Sequence, residues 1–393
     1  MMTRFVSNTH RRTDPDWPAD TVAAFSAPDI SAVHRSLPEY RPTPLLSLPN
    51  LAHELGIGEI LVKDESHRFG LKAFKALGSA YAIYRFVQKH LHEAGRQYPP
   101  ADQFYRESTL PKGTFVFCTA TDGNHGRGVA WIARKLSQRA VIYMPTNSAR
   151  ARIQNIRKEG AEVIVVDGTY DDAVARCAKD ALAHGWQIIS DTSWPGYEEI
   201  PRWIQAGYLT MFGEIHANND ADIDIVIVPA GVGALAAAAA WYYNRVYPEP
   251  RPKLVSVEPV GADCLLQSIL SETGEPVSLK GELASIMAGL NCGTPSQVAW
   301  PFVKLGFDLF MTVTDDAARE AMRTYYYPKG EDPRIISGES GAAGLAALLT
   351  LCNESSIAAA DARAHLDLSP STKVLLLNTE GDTDPEGFKS IIS

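Results

Sequence analysis

Cysteine is scarce. The five in this chain of 393 residues (Cys118, Cys177, Cys264, Cys292 and Cys352) form no Cys-x-x-Cys pair. That spacing argues against a zinc site and a disulfide framework and points to a reducing compartment. Basic excess is missing as well. Lys and Arg total 37 against 46 Asp and Glu, a net charge of −9, so no positive field exists to hold nucleic acid. No apolar run is long enough to span a bilayer; residues 232–243 come nearest, but they are short and rich in alanine. The N-terminus lacks the apolar core of a signal peptide. No internal repeat and no long low-complexity tract occurs. These absences lead us to expect a soluble cytoplasmic protein with no nucleic-acid partner, no membrane partner and no metal.

What is present is apolar side chain, 45% of the residues, enough for a large core and for two domains. Residues 1–40 are polar with little periodicity and read as an arm or irregular wrap. From Gly58 onward, short β-branched runs alternate with longer helical patterns. Strand candidates are Ile60–Lys63, Thr114–Thr119, Ala140–Met144, Glu162–Val166, Trp186–Ser190, Asp224–Val228, Lys253–Glu258, Phe310–Thr314 and Lys373–Leu377. Several are continuously apolar, as strands buried on both faces should be. Between them, Leu77, Tyr81, Tyr84, Val87 and Leu91 share one helical face. The alternation predicts an α/β fold of mostly parallel sheets with crossover helices, whose ligands bind at the carboxyl ends of the strands. Residues 90–112 read as a polar surface insertion.

Five segments at such strand ends carry chemistry. Lys75 lies between Phe74 and Leu77 at the start of a helix. An ammonium among apolar groups loses hydration and tends to shed its proton, and a neutral amine forms a Schiff base with an aldehyde. Lys63 and Lys72 compete for the role; apolar flanks and position favour Lys75. The second segment, Thr119-Ala120-Thr121-Asp122-Gly123-Asn124-His125-Gly126, opens a helix whose amino end suits a carboxylate, although taken alone an ordinary turn capped by Asp122 is the better account, one that weakens beside the third segment. The third, Val228 to Ala236, is strand, glycine loop and helix. Its backbone N–H groups can cradle a phosphate, and Gly231, Gly233 and Ala236 also fit a relaxed dinucleotide pattern. A nicotinamide would give Lys75 no aldehyde, so a single phosphate is preferred. The fourth segment places Asp191 after a strand, where it and Asp122 could divide acid and base roles; a turn aspartate beside a tryptophan is the plainer account. The fifth places Thr379 after the last strand, with a hydroxyl for a ring nitrogen or simply a loop residue.

Together, Tyr40-Arg41-Pro42-Thr43-Pro44-Leu45, the Lys75 run, the Ala120–Gly126 loop, the Gly231 loop and Thr379 resemble the fold-type II pyridoxal-phosphate enzymes, the group of the tryptophan synthase β-subunit and threonine dehydratase. Within it, Arg68 to Lys75, Ala120 to Gly126 and Asp191-Thr192-Ser193-Trp194-Pro195-Gly196-Tyr197 are similar to the branch that eliminates ammonia from 2,3-diaminopropionate. Dehydratases usually carry a small uncharged residue where Asp122 stands and lack the Asp191–Tyr197 run.

The resemblance implies two domains, each a mostly parallel sheet flanked by helices: a large pyridoxal 5'-phosphate-binding domain from residues 1–78 and 203–393, and a small one from 79–202. It implies that Lys75 carries the cofactor as a Schiff base. Gly231, Val232, Gly233 and Ala234 would hold its phosphate, Asn124 would touch its phenolic oxygen, and Thr379 would face its pyridine nitrogen. Thr121 and the N–H groups around Gly123 and His125 would hold the substrate carboxylate. Here the phosphate loop reads Ala-Gly-Val-Gly-Ala instead of a run of glycines. Lys75 would take the α-proton from one face and Asp122 or Asp191 from the other, opening both enantiomers to reaction, and a carboxylic acid would protonate the leaving β-amine. Pyruvate and ammonia result. A serine or threonine dehydratase or a β-replacement synthase is the alternative on this scaffold; a non-catalytic protein binding the cofactor or an amino acid is a remoter one. By analogy with the group, a homodimer is expected.

Overall fold

Continuous apolar runs become central strands, because a strand covered on both faces has no side for polar groups. The computed structural model describes residues 2–107, 110–121, 123–218, 222–247, 250–281 and 283–393. Its strands are β1 (Phe5–Ser7), β2 (Leu45–Ser47), β3 (Glu59–Asp64), β4 (Val116–Ala120), β5 (Arg139–Pro145), β6 (Glu162–Val166), β7 (Gln187–Ile188), β8 (Ile225–Pro229), β9 (Lys253–Pro259), β10 (Leu309–Val313) and β11 (Lys373–Asn378). They form two sheets. The larger runs β1-β10-β9-β8-β11-β3-β2 and the smaller β6-β5-β4-β7. Every pairing is parallel except the two edges, where β1 lies antiparallel to β10 and β2 to β3. The expected α/β architecture of mostly parallel sheets is the one observed.

All nine strand candidates occur, with ends that differ by at most two residues. Two strands were not foreseen: β1 and β2 are three residues each and lie half-buried on sheet edges, too short to show a period. Residues 1–40 are not an irregular arm. Besides β1 they hold the helices Ala19–Phe25 and Ile30–Arg35, with Phe25, Ile30 and Val33 buried in the main core. Two turns of helix give only one or two apolar repeats, so the pattern hides among polar residues. The tract 90–112 is likewise more than a surface insertion. Helix Ala76–Glu93 runs into it, and Phe104 and Tyr105 anchor it in the core. The Tyr105 hydroxyl donates to the Ala80 carbonyl at 2.6 Å.

Helix Ala76–Glu93 joins the two sheets. Its predicted face, from Leu77 to Leu91, is buried; each large apolar side chain so buried contributes about 1.5–3 kcal/mol. It presses against helix Glu199–Gly207. A Cβ on Gly78 would come within 2.7 Å of Ile204 Cγ2 and Tyr208 Cε1, and one on Gly207 within 2.6 Å of the Leu77 carbonyl. Only glycine permits that approach. Among the described residues, no single helix is long and apolar enough to cross a membrane.

Candidate active site

Strand β3 hands the chain to Lys75 through a strained passage. Asp64 closes the strand, accepting from the Ser66 N–H at 3.1 Å and from Asn378 Nδ2 at 2.8 Å. Beyond it, Phe69 and Lys72 adopt φ of 52° and 60°, a left-handed backbone that costs non-glycine residues about 1–2 kcal/mol each. Neighbouring contacts hold the passage in place. Gly381 N donates to Lys72 O at 2.9 Å, Phe74 N to Thr379 O at 3.2 Å, and Arg127 Nη1 to Leu71 O at 3.0 Å. Stored strain of this kind gathers at functional sites. Lys75 then stands as the N-cap residue of helix Ala76–Glu93.

The two rival lysines are committed elsewhere. Lys63, fully buried in β3, donates to Glu214 Oε2 at 2.7 Å and to Thr43 O at 2.8 Å. Glu214 also binds Arg68, which binds Glu65; this buried ion cluster lies beneath the passage. Lys72 pairs with Asp382 at 2.6 Å on the surface.

Lys75 meets Asp191 instead, Nζ to Oδ2 at 2.5 Å. The two side chains are 21% and 10% exposed. This corrects the expectation of a neutral amine. Burial does pull the Lys75 ammonium down, but the Asp191 carboxylate, helped by the field of Tyr208 and Cys292, more than reverses it and holds the lysine above its ordinary range. Burial pushes Asp191 up; Lys75 and His125 more than reverse that, and its carboxyl sits well below the usual carboxylate range. Apolar sequence neighbours measure desolvation only; a partner 116 residues away decides the charge.

The remaining site residues converge from the carboxyl ends of β4, β8 and β11. After β4, Thr121 Oγ1 accepts from the N–H groups of Gly123 at 3.0 Å and Gly126 at 3.1 Å. The Gly123 N–H is therefore engaged within the turn, whereas that of His125 has no partner among the described residues. His125 Nε2 donates to the Ile189 carbonyl at 2.6 Å, while its Nδ1 is buried and unpartnered among the described residues; burial lowers its pKa. Asn124 donates through Nδ2 to Glu380 Oε2. Asp122 lies outside the described residues.

After β8, the four N–H groups of Gly231, Val232, Gly233 and Ala234 have no partners among the described residues. They open helix Ala234–Val246, where the helix dipole favours an anion. Gly233 has φ of 94°. A Cβ on Gly231 would stand 2.9 Å from Cys292 Sγ and 3.3 Å from the Gly289 carbonyl, so a larger residue would press on both and shift the loop. After β11, the Thr379 hydroxyl also lacks a partner among the described residues, and its own carbonyl holds Phe74, next to Lys75. A lysine nitrogen, an open amide cradle and a neutral hydroxyl match the aldehyde, phosphate and ring nitrogen of pyridoxal phosphate. The residues fit that group.

Three residues of this neighbourhood had no sequence signal strong enough to find them. Tyr208 is buried with its hydroxyl unpartnered among the described residues, close enough to act on the charge of Lys75. The Gly78 and Gly207 pair that lets it approach was the available clue. Cys292 lies against Gly231 and close enough to Lys75 to act on its charge. Glu380 follows Thr379 in the motif already singled out.

Comparison with known proteins places this geometry. The family described as pyridoxal-phosphate dependent enzyme matches residues 37–367. Diaminopropionate ammonia-lyase of Salmonella typhimurium is 41% identical over 369 residues, 93% of this chain and 91% of that protein. The protein of that name from Escherichia coli is 41% identical over 362 residues, 91% of this chain and 89% of its own length. A crystal structure of the Escherichia coli protein, in complex with an aminoacrylate-PLP azomethine reaction intermediate, superposes with a TM-score of 0.88 at 38% identity, covering 100% of this chain and 97% of that one.

Proposed function

We infer the activity from one premise, that this chain belongs to the pyridoxal-phosphate dependent enzymes. It is a diaminopropionate ammonia-lyase: it eliminates ammonia from 2,3-diaminopropionate and yields pyruvate. The observation that carries the reading at the level of atoms is the Lys75–Asp191 pair at 2.5 Å, together with an anion cradle whose donors have no partner among the described residues.

When bound, pyridoxal phosphate supplies an aldehyde for Lys75 and a ring that spreads the charge left as the α-proton departs. The N–H groups of residues 231–234 hold its phosphate. Asn124 donates to its phenolic oxygen, and Thr379 gives its ring nitrogen a neutral partner. Thr121 and the backbone around Gly123 and His125 take the substrate carboxylate; the unpartnered His125 N–H supports that role, and the Gly123 N–H must leave Thr121 to join it. Lys75 Nζ removes the α-proton from one face of the substrate. Asp122, between Thr121 and Gly123 in the chain, or Asp191 once it has parted from Lys75, removes it from the other.

An amine leaves only when protonated. Asp191 can receive the proton that Lys75 gives up when its nitrogen becomes a nucleophile, and return it to the β-nitrogen as a general acid. The three-carbon enamine that departs is hydrolysed by water to pyruvate and a second ammonia. A homodimer in the cytoplasm completes the proposal, as does a small domain of residues 79–202, within which β4 to β7 all fall.

The test supplies each enantiomer of 2,3-diaminopropionate, serine and threonine to the purified protein with pyridoxal 5'-phosphate, and follows 2-oxo acid release. Diaminopropionate should be the fastest, and Lys75→Ala should abolish both turnover and the visible absorbance of the bound cofactor. Faster turnover of serine or threonine, or a visible band that survives in Lys75→Ala and disappears in Lys72→Ala, would overturn this reading.

A further inference from the structure

We propose that Glu380 is a positioning residue of the cofactor site, whose carboxylate gathers donors from three chain segments and so fixes the Asn124 amide for the cofactor ring. The inference rests on the function proposed above. Glu380 is 1% exposed. Its Oε2 accepts from Asn124 Nδ2 and from Thr383 Oγ1, the latter at 3.2 Å; its Oε1 accepts from the Ser340 N–H at 3.2 Å. All three partners donate, which suits an ionised carboxylate, the side chain with only acceptors. Its charge is felt nearby: burial and then Glu380 push the Glu339 carboxyl up to about 7.

The backbone of Glu380 is clamped on both sides. It bridges Ala73 in an antiparallel pair, and its carbonyl accepts from the Gly338 N–H at 2.9 Å. Opposite, a Cβ on Gly338 would meet the Gly381 carbonyl at 2.6 Å, and one on Gly341 the Glu380 carbonyl at 2.5 Å. The carboxylate is therefore a fixed post. Asn124 is the first residue of helix Asn124–Lys135, which packs on the smaller sheet. An amide nitrogen carries two hydrogens; with one on Glu380, the second remains available for the cofactor's phenolic oxygen. Two contacts reinforce the tie. Asn155 Nδ2 donates to Thr383 O at 3.0 Å, and Arg152 Nη2 lies 4.0 Å from Glu339 Oε2.

Glu380→Gln keeps the shape but sets an amide NH2 against either Asn124 or Ser340. Pyridoxal 5'-phosphate affinity should fall at least tenfold, and the visible band of the bound cofactor should shift in wavelength and in pH midpoint. Asn124→Ala should cost similar affinity in the native background and add less than threefold in the Glu380→Gln background, because residues in one network are not additive. Native affinity with an unshifted band in Glu380→Gln, or two losses that multiply fully, would overturn the proposal. If Glu380→Gln does not fold, Glu380→Asp carries the test: a shifted band supports the role and a native band refutes it. A native protein that takes up no cofactor, or makes no pyruvate from diaminopropionate, defeats the function reading instead.

Discussion

Asp191→Asn isolates the central electrostatic claim, because asparagine keeps the shape and removes the charge facing Lys75. At 2.5 Å, Coulomb attraction at an effective dielectric of about 20 amounts to about 7 kcal/mol, against which both desolvation penalties must be set. Removing one partner of a buried pair typically destabilises by about 3–5 kcal/mol. The 21% exposure of Lys75 argues for the lower end, about 3 kcal/mol. The pH dependence is more telling than the size. In the native protein the folded lysine pKa is raised, so its contribution is complete below pH about 10 and is lost only as pH rises through the folded value. The Asp191 value is depressed, so its contribution is complete above pH about 4 and fades as pH falls through the folded one. Between those limits the pair makes stability flat with pH. In Asp191→Asn, burial acts on Lys75 against only the remaining fields of Tyr208 and Cys292, and its folded pKa drops below that of the unfolded chain. The unfolded state then binds more protons, and stability rises with pH between the depressed value and about 10. Thermal unfolding of the cofactor-free proteins from pH 6 to 10 measures this. A variant equally stable to the native protein, or displaced from it by the same amount at every pH, would refute the argument that Asp191 sets the lysine's charge.

The cradle gives a second prediction: Gly231→Val must displace Cys292 Sγ and the Gly289 carbonyl, so pyridoxal 5'-phosphate affinity, read by titrating the visible band, should fall more than tenfold, with a stability loss of about 1–3 kcal/mol. The buried cluster gives a third. Burial raises Glu214, but Arg68 and Lys63 hold it well below the usual carboxylate range, so its contribution is complete above pH about 4 and is lost as pH falls toward the folded value. Glu214→Gln should unfold about 3–5 kcal/mol more easily at pH 7 and show a flatter acid limb in denaturant titrations; an acid limb as steep as the native one would exclude Glu214 as its source.

The parts of this molecule legible in its sequence are those whose cause is local. Val226 and Leu375 sit in strands covered on both faces, so their neighbours are apolar too, and the run announces the strand. The loops at Gly123 and Gly231 announce themselves because turns and anion cradles need glycine and small polar groups together. What stayed hidden depends on distant pairing. Nothing near Lys75 reports Asp191. Nothing near Asn124 reports Glu380, 256 residues away. The edge strands β1 and β2 were hidden for another reason: three residues beside a sheet edge need no period of their own, because their neighbours β10 and β3 supply the register.

Why the site is exacting follows from where its parts originate. Lys75, Gly231 and Thr379 belong to segments at the carboxyl ends of strands in the larger sheet; Asn124 and Asp191 follow β4 and β7 of the smaller. On the proposed assignment the reacting atoms therefore stand between two sheets that share no strand pairing among the described residues. Their relative placement depends on side-chain contacts: Lys75 with Asp191, Asn124 with Glu380, Asn155 with Thr383. The first also sets the protonation of the nucleophile, and the second holds an amide assigned to the cofactor. On the proposed assignment, contacts that would elsewhere only stabilise the fold would here govern chemistry, since a misplacement of about 1 Å can reduce an oriented reaction by about a hundredfold. Substitutions at these three contacts should accordingly reduce cofactor binding and turnover more than they reduce stability, whereas those in the Lys63–Glu214–Arg68 cluster, which lies within the larger sheet's own framework, should do the reverse.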